Sequence, residues 1–179
     1  MALEHFLAGN RAAILERWNH LIVETYPPNT SRFLRRERDR FVNPVGYTIS
    51  REIGVLFEEL MGGMDLDRIS RSLENIMKIR SVQDFPPSEG VGFILLLKKT
   101  IREKLGAEIS DFRIFEEWSA LESKIDTMAL LAFDIYMKCR EKIFEIKVNE
   151  VKGETQRILR LLERINLISE KLRGEEERD

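Results

Sequence analysis

From Leu121 to Leu172 the apolar residues recur every three or four positions, and this pattern limits the fold more than any other feature of the chain. Leu121, Ile125, Met128, Ala132, Ile135 and Cys139 form one stripe, while Leu130, Leu131, Phe133, Tyr136 and Met137 fill the other sides. A helix that is apolar all round belongs at the centre of a bundle. Beyond Ile143 the composition changes. Ile158, Leu161, Ile165, Ile168 and Leu172 are spaced by 3 and 4, with Glu and Arg between them. That is a coiled-coil seam of about two heptads, the mark of a helix that pairs with a second copy. The predicted organisation is a helical domain over 1–150, then a coiled-coil helix with a frayed tail over 151–179. Gly153 is a candidate bend.

The rest of the chain also reads as helices. Asn10 is a candidate N-cap for a helix to about Thr25, stopped by Tyr26-Pro27-Pro28. A short helix is predicted from about Thr30 to Arg38, with Phe33 and Leu34 inward. Asn43-Pro44 opens a helix to Met61, closed by Gly62-Gly63 as a left-handed cap. Asp65 or Asp67 starts the next helix, whose apolar face is Leu66, Ile69, Leu73 and Ile76. Ser88 with Glu89 starts a helix ending at Gly106. Gly90 and Gly92, in its first turn, are expected to allow a close backbone approach. Ser110-Asp111 caps the long segment. No alternation of strand type occurs.

Composition narrows the chemistry. The 179 residues carry 29 Lys+Arg against 31 Asp+Glu, a net charge of -2, which argues against bulk nucleic-acid binding. One cysteine excludes an internal disulfide. The longest clean apolar runs, Phe93 to Leu97 and Met128 to Phe133, fall far short of the ~18–20 residues of a membrane span. With no signal peptide in its first residues, the protein is expected to be cytoplasmic.

Candidate sites are few. His5 and His20 lie near the N-terminus, and no HExxH motif, P-loop, GxSxG or kinase signature occurs. No metal, cofactor or catalytic residue is expected. Cys139 has no histidine close in sequence and reads as a small buried hydrophobe. Arg32, Arg35, Arg36, Arg38 and Arg40 crowd one stretch with Glu37 and Asp39. They form either a solvated helix face or a surface for a phosphate or acidic partner. Asp134 lies in an apolar run, where an acid needs a buried partner or a polar ligand.

Three stretches carry a resemblance. They are Ile14-Leu-Glu-Arg-Trp18 leading to Glu24-Thr-Tyr-Pro-Pro28; Phe33-Leu-Arg-Arg-Glu37 followed by Phe41-Val-Asn-Pro-Val-Gly46; and Ile79-Arg-Ser-Val-Gln-Asp-Phe-Pro-Pro-Ser-Glu-Gly-Val-Gly-Phe93. With Leu131-Ala-Phe-Asp-Ile-Tyr136, they resemble the N-terminal domain of RsbR-type co-antagonist proteins, the RsbRD N-terminal family, over roughly residues 10–150. The resemblance implies a regulatory input domain of the kind that precedes a STAS domain in a stressosome. It also implies a haem-free, globin-like helical fold that dimerises. The sequence to Asp179 holds no STAS domain, and a further implication is an accessory role beside anaerobic redox complexes.

The combined expectation is an all-α, globin-like or bundle sensor domain with an extended C-terminal helix. It is read as a non-enzymatic homodimer that binds a small-molecule or lipid-like ligand, or a signalling partner. The expected ligand residues are Trp18, Asn43, Tyr47, Phe85, Phe93 and Asp134. Ile158, Leu161, Ile165, Ile168 and Leu172 form the dimer seam, and Arg32, Arg35 and Arg36 the partner surface. The alternative is a structural adaptor without a ligand.

Overall fold

A computed structural model describes residues 2–36, 39–83, 85–106 and 112–176, excluding the side chains of residues 2 and 168–176. Among the described residues the regular structure is entirely helical. The order is α1 (Ala2–Gly9), α2 (Arg11–Glu24), α3 (Pro28–Arg36), α4 (Pro44–Met61), α5 (Leu66–Val82), α6 (Pro87–Gly92), α7 (Leu95–Leu105) and α8 (Phe112–Glu176). The chain divides into two compact units, Met1–Arg140 and Glu141–Asp179.

In the first unit α4 packs most extensively on α5, and α2 packs against α7, α4 and α3. Ile49, Ile53, Leu56 and Leu60 of α4 meet Ile69, Leu73, Ile76 and Met77 of α5 in one continuous core with Ile14, Trp18 and Ile22 of α2. Trp118, Leu121, Ile125, Met128 and Ala132 bring the first half of α8 into that core. Ion pairs Arg102–Glu122 (2.8 Å) and Lys98–Asp126 (2.7 Å) set α8 antiparallel to α7.

Local signals place several boundaries as expected. Asn43 Oδ1 accepts from the Gly46 N–H at 2.8 Å, and Pro44 occupies the first helical position. Asp65 caps α5 through the Asp67 and Arg68 N–H groups. Other expectations are corrected. Asn10 does occupy the N-cap position of α2, but its side chain makes no capping bond there, because its Nδ2 donates back to Phe6 O at 2.9 Å. The left-handed residue after α4 is Met64 (φ 54°), while Gly62 has φ -105°. Phe33 and Leu66 are 46% and 57% exposed, so neither faces inward. Arg38 and the Ser110-Asp111 cap lie outside the described residues.

The predicted helix from Ser88 to Gly106 is two helices. Phe93 O accepts a 2.7 Å hydrogen bond from Trp18 Nε1, and the Leu97 N–H turns to Ile94 O instead. A buried indole donor thus captures the carbonyl that would have continued the helix. Gly90 does allow a close approach: a Cβ there would stand 2.7 Å from Tyr136 Cε2. Gly92 meets nothing within 4 Å. α8 is apolar on its stripe, not all round. Leu130 (70%) and Phe133 are exposed, and Cys139 is half-buried.

In the second unit α8 is helical through Gly153. Ile158, Leu161 and Ile165 are exposed in the isolated chain, and so are Leu159 and Leu162 beside them. The side chains of Ile168 and Leu172 lie outside the described residues.

Candidate functional site

The six expected ligand residues fall into three places. Trp18, Phe85 and Phe93 are buried together. The Trp18 and Phe93 rings stack at 6.4 Å, and Phe85 stands edge-on to Tyr26 at 5.1 Å. Asn43 and Tyr47 line a separate groove of about 540 Å³ between α2, α3 and α4, with Asn19, His20 and Arg35. Asn43 is committed as a cap, and its Nδ2 also donates to Leu34 O at 3.2 Å. Asp134 is exposed and joins neither group, because it sits on the wet side of α8 opposite Ala132 and Ile135. The sequence pattern suggested a buried acid, and the structure corrects that.

At the centre of the aromatic group is Arg80, which was not expected. It lies on the apolar stripe of α5, continuing Ile69, Leu73 and Ile76 by one more turn, and it is 0% exposed. That position is the signal that could have found it: an arginine in register with a buried stripe. Its guanidinium carbon stands 4.1 Å from the Phe85 ring centroid, 5.3 Å from Tyr26 and 5.5 Å from Phe93. Cation–π contacts of this kind are worth about 0.5–2 kcal/mol each.

The hydrogen bonding of Arg80 is lopsided. Nη2 donates to Thr25 Oγ1 at 3.1 Å and to Glu89 O at 3.0 Å. Nε and Nη1 make no hydrogen bond of good geometry, nor does the buried Tyr26 hydroxyl, although Tyr26 and Arg80 lie close enough for a side-chain hydrogen bond to act on the ionisation of both. Among the described residues no carboxylate makes an ion pair with Arg80. Burial pulls the guanidinium below its ordinary pKa, with Tyr26 and Glu89 acting in the opposite sense. Tyr26 is pushed up by burial, against the influence of Arg80. A buried donor left unsatisfied costs roughly 1–3 kcal/mol, and more when charged.

Two clefts flank Tyr26. One, of about 610 Å³, is lined by Thr25, Tyr26, Thr30, Gln83, Phe85 and Glu89. Four of these residues also contact or bond Arg80 directly. The other, also about 610 Å³, is lined by Tyr26, Ser31 and the expected partner residues Arg32, Arg35 and Arg36. The structure therefore brings the three arginines of α3 to one surface. Arg35 is engaged with Glu24 at 3.3 Å. The remaining wall of the Arg80 enclosure is α8, where Tyr136 Oη donates to Phe85 O.

Among the described residues no group of three or more His, Cys, Asp or Glu is placed to hold a metal ion, and no helix is long and apolar enough to cross a membrane.

Residues 12–151 match the RsbT co-antagonist protein RsbRD N-terminal domain. The chain belongs to that family. Membership implies a signalling input domain of the stressosome type, as the resemblance of the sequence stretches suggested. A protein of Archaeoglobus fulgidus, itself uncharacterised, is 25% identical over 159 residues, covering 86% of this chain and 93% of its own length. No solved structure matches the chain. An RsbRD N-terminal domain is thus built around a buried arginine whose hydrogen bonding is half complete.

Proposed function

We propose that this RsbRD N-terminal domain is a non-enzymatic, cytoplasmic input module. It binds a small molecule in the first unit and signals through a dimeric C-terminal helix. The observation that carries the reading is the Arg80 enclosure, because an unsatisfied buried charge beside an open cleft is where a binding site is expected. The family match supports the signalling half of the reading. The exposed Ile158, Leu161 and Ile165, at heptad spacing on α8, support the dimer.

Light scattering on the full chain tests the output. Ile158→Asp together with Ile165→Asp is expected to convert a dimer to a monomer while leaving the circular dichroism of the bundle intact. An unchanged dimer would move the interface elsewhere. A second reading, a ligand-free adaptor, possibly accessory to a redox complex, is supported by Arg32, Arg35 and Arg36 lining one cleft. Charge reversal at Arg32 and Arg36 that abolishes partner capture, with no effect of small molecules on melting, would favour it.

A further inference from the structure

We propose that the site is an organic-carboxylate receptor, with the Arg80 guanidinium taking the anion and the cleft beside Tyr26 and Phe85 holding the rest of the molecule. This rests on the reading of the domain as a ligand-binding input module and names its ligand class.

Arg80 is fully buried and cationic, and among the described residues it has no anionic partner at ion-pairing distance. Ring faces offset part of the lost hydration but accept no N–H hydrogen bond of ordinary strength. One N–H on Nε and two on Nη1 remain without acceptors. An anion is the species that balances the charge and also accepts from an open donor.

Arg80 is fully buried and lines neither cleft itself, so an anion reaches it by parting the Tyr26–Phe85 wall, and a planar anion needs the narrowest opening. The Tyr26, Phe85 and Phe93 rings bound the guanidinium, and a carboxylate is flat and can lie in the guanidinium plane between such walls. A tetrahedral phosphate has no such plane. Bidentate contact along the Nη1–Nη2 edge requires one carboxylate oxygen on Nη1 and the other on Nη2. The second contact displaces Thr25 Oγ1 or Glu89 O from Nη2. Thr25 is the C-cap of α2, and Glu89 is in the first turn of α6. Ligand binding therefore exchanges an internal tie between α5 and α2 or α6 for a tie to the ligand. That is a differential contact of the kind a sensor needs.

The surroundings agree in sign. Arg32, Arg35 and Arg36 line the cleft on the other side of Tyr26 together with one carboxylate, Glu24, which pairs with Arg35, and the balance of charge there is positive. Glu89 is the one carboxylate among the described residues of the cleft beside Phe85, and it is exposed at the rim. It opposes an anion, so Glu89→Gln is expected to tighten binding.

The test uses the full chain at constant ionic strength, titrated with sodium benzoate, sodium acetate and inorganic phosphate. Thermal melting and tryptophan fluorescence are the readouts, since Trp18, one of the two tryptophans, stacks on Phe93 at the edge of the enclosure. Benzoate is expected to give saturable stabilisation with a shift in emission, acetate a weaker one, and phosphate none. Arg80→Met, an apolar replacement of similar length, is expected to fold and to lose benzoate affinity by at least tenfold. Glu89→Gln is expected to gain affinity two- to fivefold. Benzoate binding equal in Arg80→Met and wild type overturns the proposal, as does phosphate binding tighter than benzoate. So does the absence of a response to any of the three anions. A screen of neutral metabolites run alongside separates the two levels. A neutral compound that stabilises wild type and Arg80→Met alike overturns the carboxylate assignment and leaves the sensor reading standing. No response to any compound overturns both.

Discussion

The α4–α5 interface and the Arg80 enclosure both bury charge, and they do it differently. At the first, Glu52 and Glu59 are 4% and 5% exposed, and each pairs with an arginine and accepts one further hydrogen bond. Glu52 accepts from Asn75 at 3.0 Å and from Arg51. Glu59 pairs with Arg68 at 2.6 Å and accepts the Asp65 N–H at 3.1 Å. Both arginines are themselves half-exposed, so only one member of each pair loses its water. At the second, the arginine is the buried member, and rings and neutral oxygens stand where a carboxylate would be. The interface is arranged for a local stability that is complete without help. The enclosure holds a charge whose interactions are incomplete, and such residues are retained chiefly where they do something.

Three substitutions break or sharpen that contrast, all read by urea denaturation. Arg80→Ala has the largest expected effect, a loss of about 3 kcal/mol or more. It empties the space between three rings and removes the hydrogen bonds to Thr25 Oγ1, which keeps its own bond to Ile22 O, and to Glu89 O. A loss below about 1 kcal/mol would mean that the enclosure collapses freely and that its packing is not specific. Gly90→Ala comes next, at about 1–3 kcal/mol, because its Cβ would press on the Tyr136 ring and displace α6. It sharpens the contrast by disturbing the enclosure without touching Arg80. Glu59→Gln is the smallest, at about 1 kcal/mol or less. The amide oxygen still accepts the Asp65 N–H, and only a half-exposed ion pair is lost. A loss exceeding that of Arg80→Ala would invert the comparison.

What could be read from the sequence follows the range of the interactions concerned. Asn43-Pro44 and Asp65 mark helix starts through contacts two or three residues away; the first is placed by the sequence, and the second is one of two candidates it offers, with Asp67. The buried stripes of α4 and α5 follow from helical period alone. The break between α6 and α7 could not be read, because its cause is Trp18, 75 residues from Phe93. α1 is not legible because its 8 residues are too few for a helical period to stand out. Trp18, Phe85 and Phe93 were placed in the site as aromatics. Arg80 was passed over because arginine on a helix is ordinarily read as solvated, although its register with Ile69, Leu73 and Ile76 says otherwise. Asp134 was included on its apolar neighbours, yet on a helix the neighbours in sequence point elsewhere.

The contact of Gly90 with Tyr136 has a mechanical consequence. Phe85 and Glu89, a ring and a carbonyl against Arg80, belong to a segment held to α8 at two points: the Tyr136 hydroxyl on Phe85 O, and the Tyr136 ring against the bare face of Gly90. One tyrosine therefore clamps the segment that closes over the guanidinium. Sliding α8 by a single residue is a travel of about 1.5 Å, enough to break a hydrogen bond and to lift a ring that has no slack. Any displacement of α8 that moved Tyr136 would therefore also disturb the segment that covers Arg80.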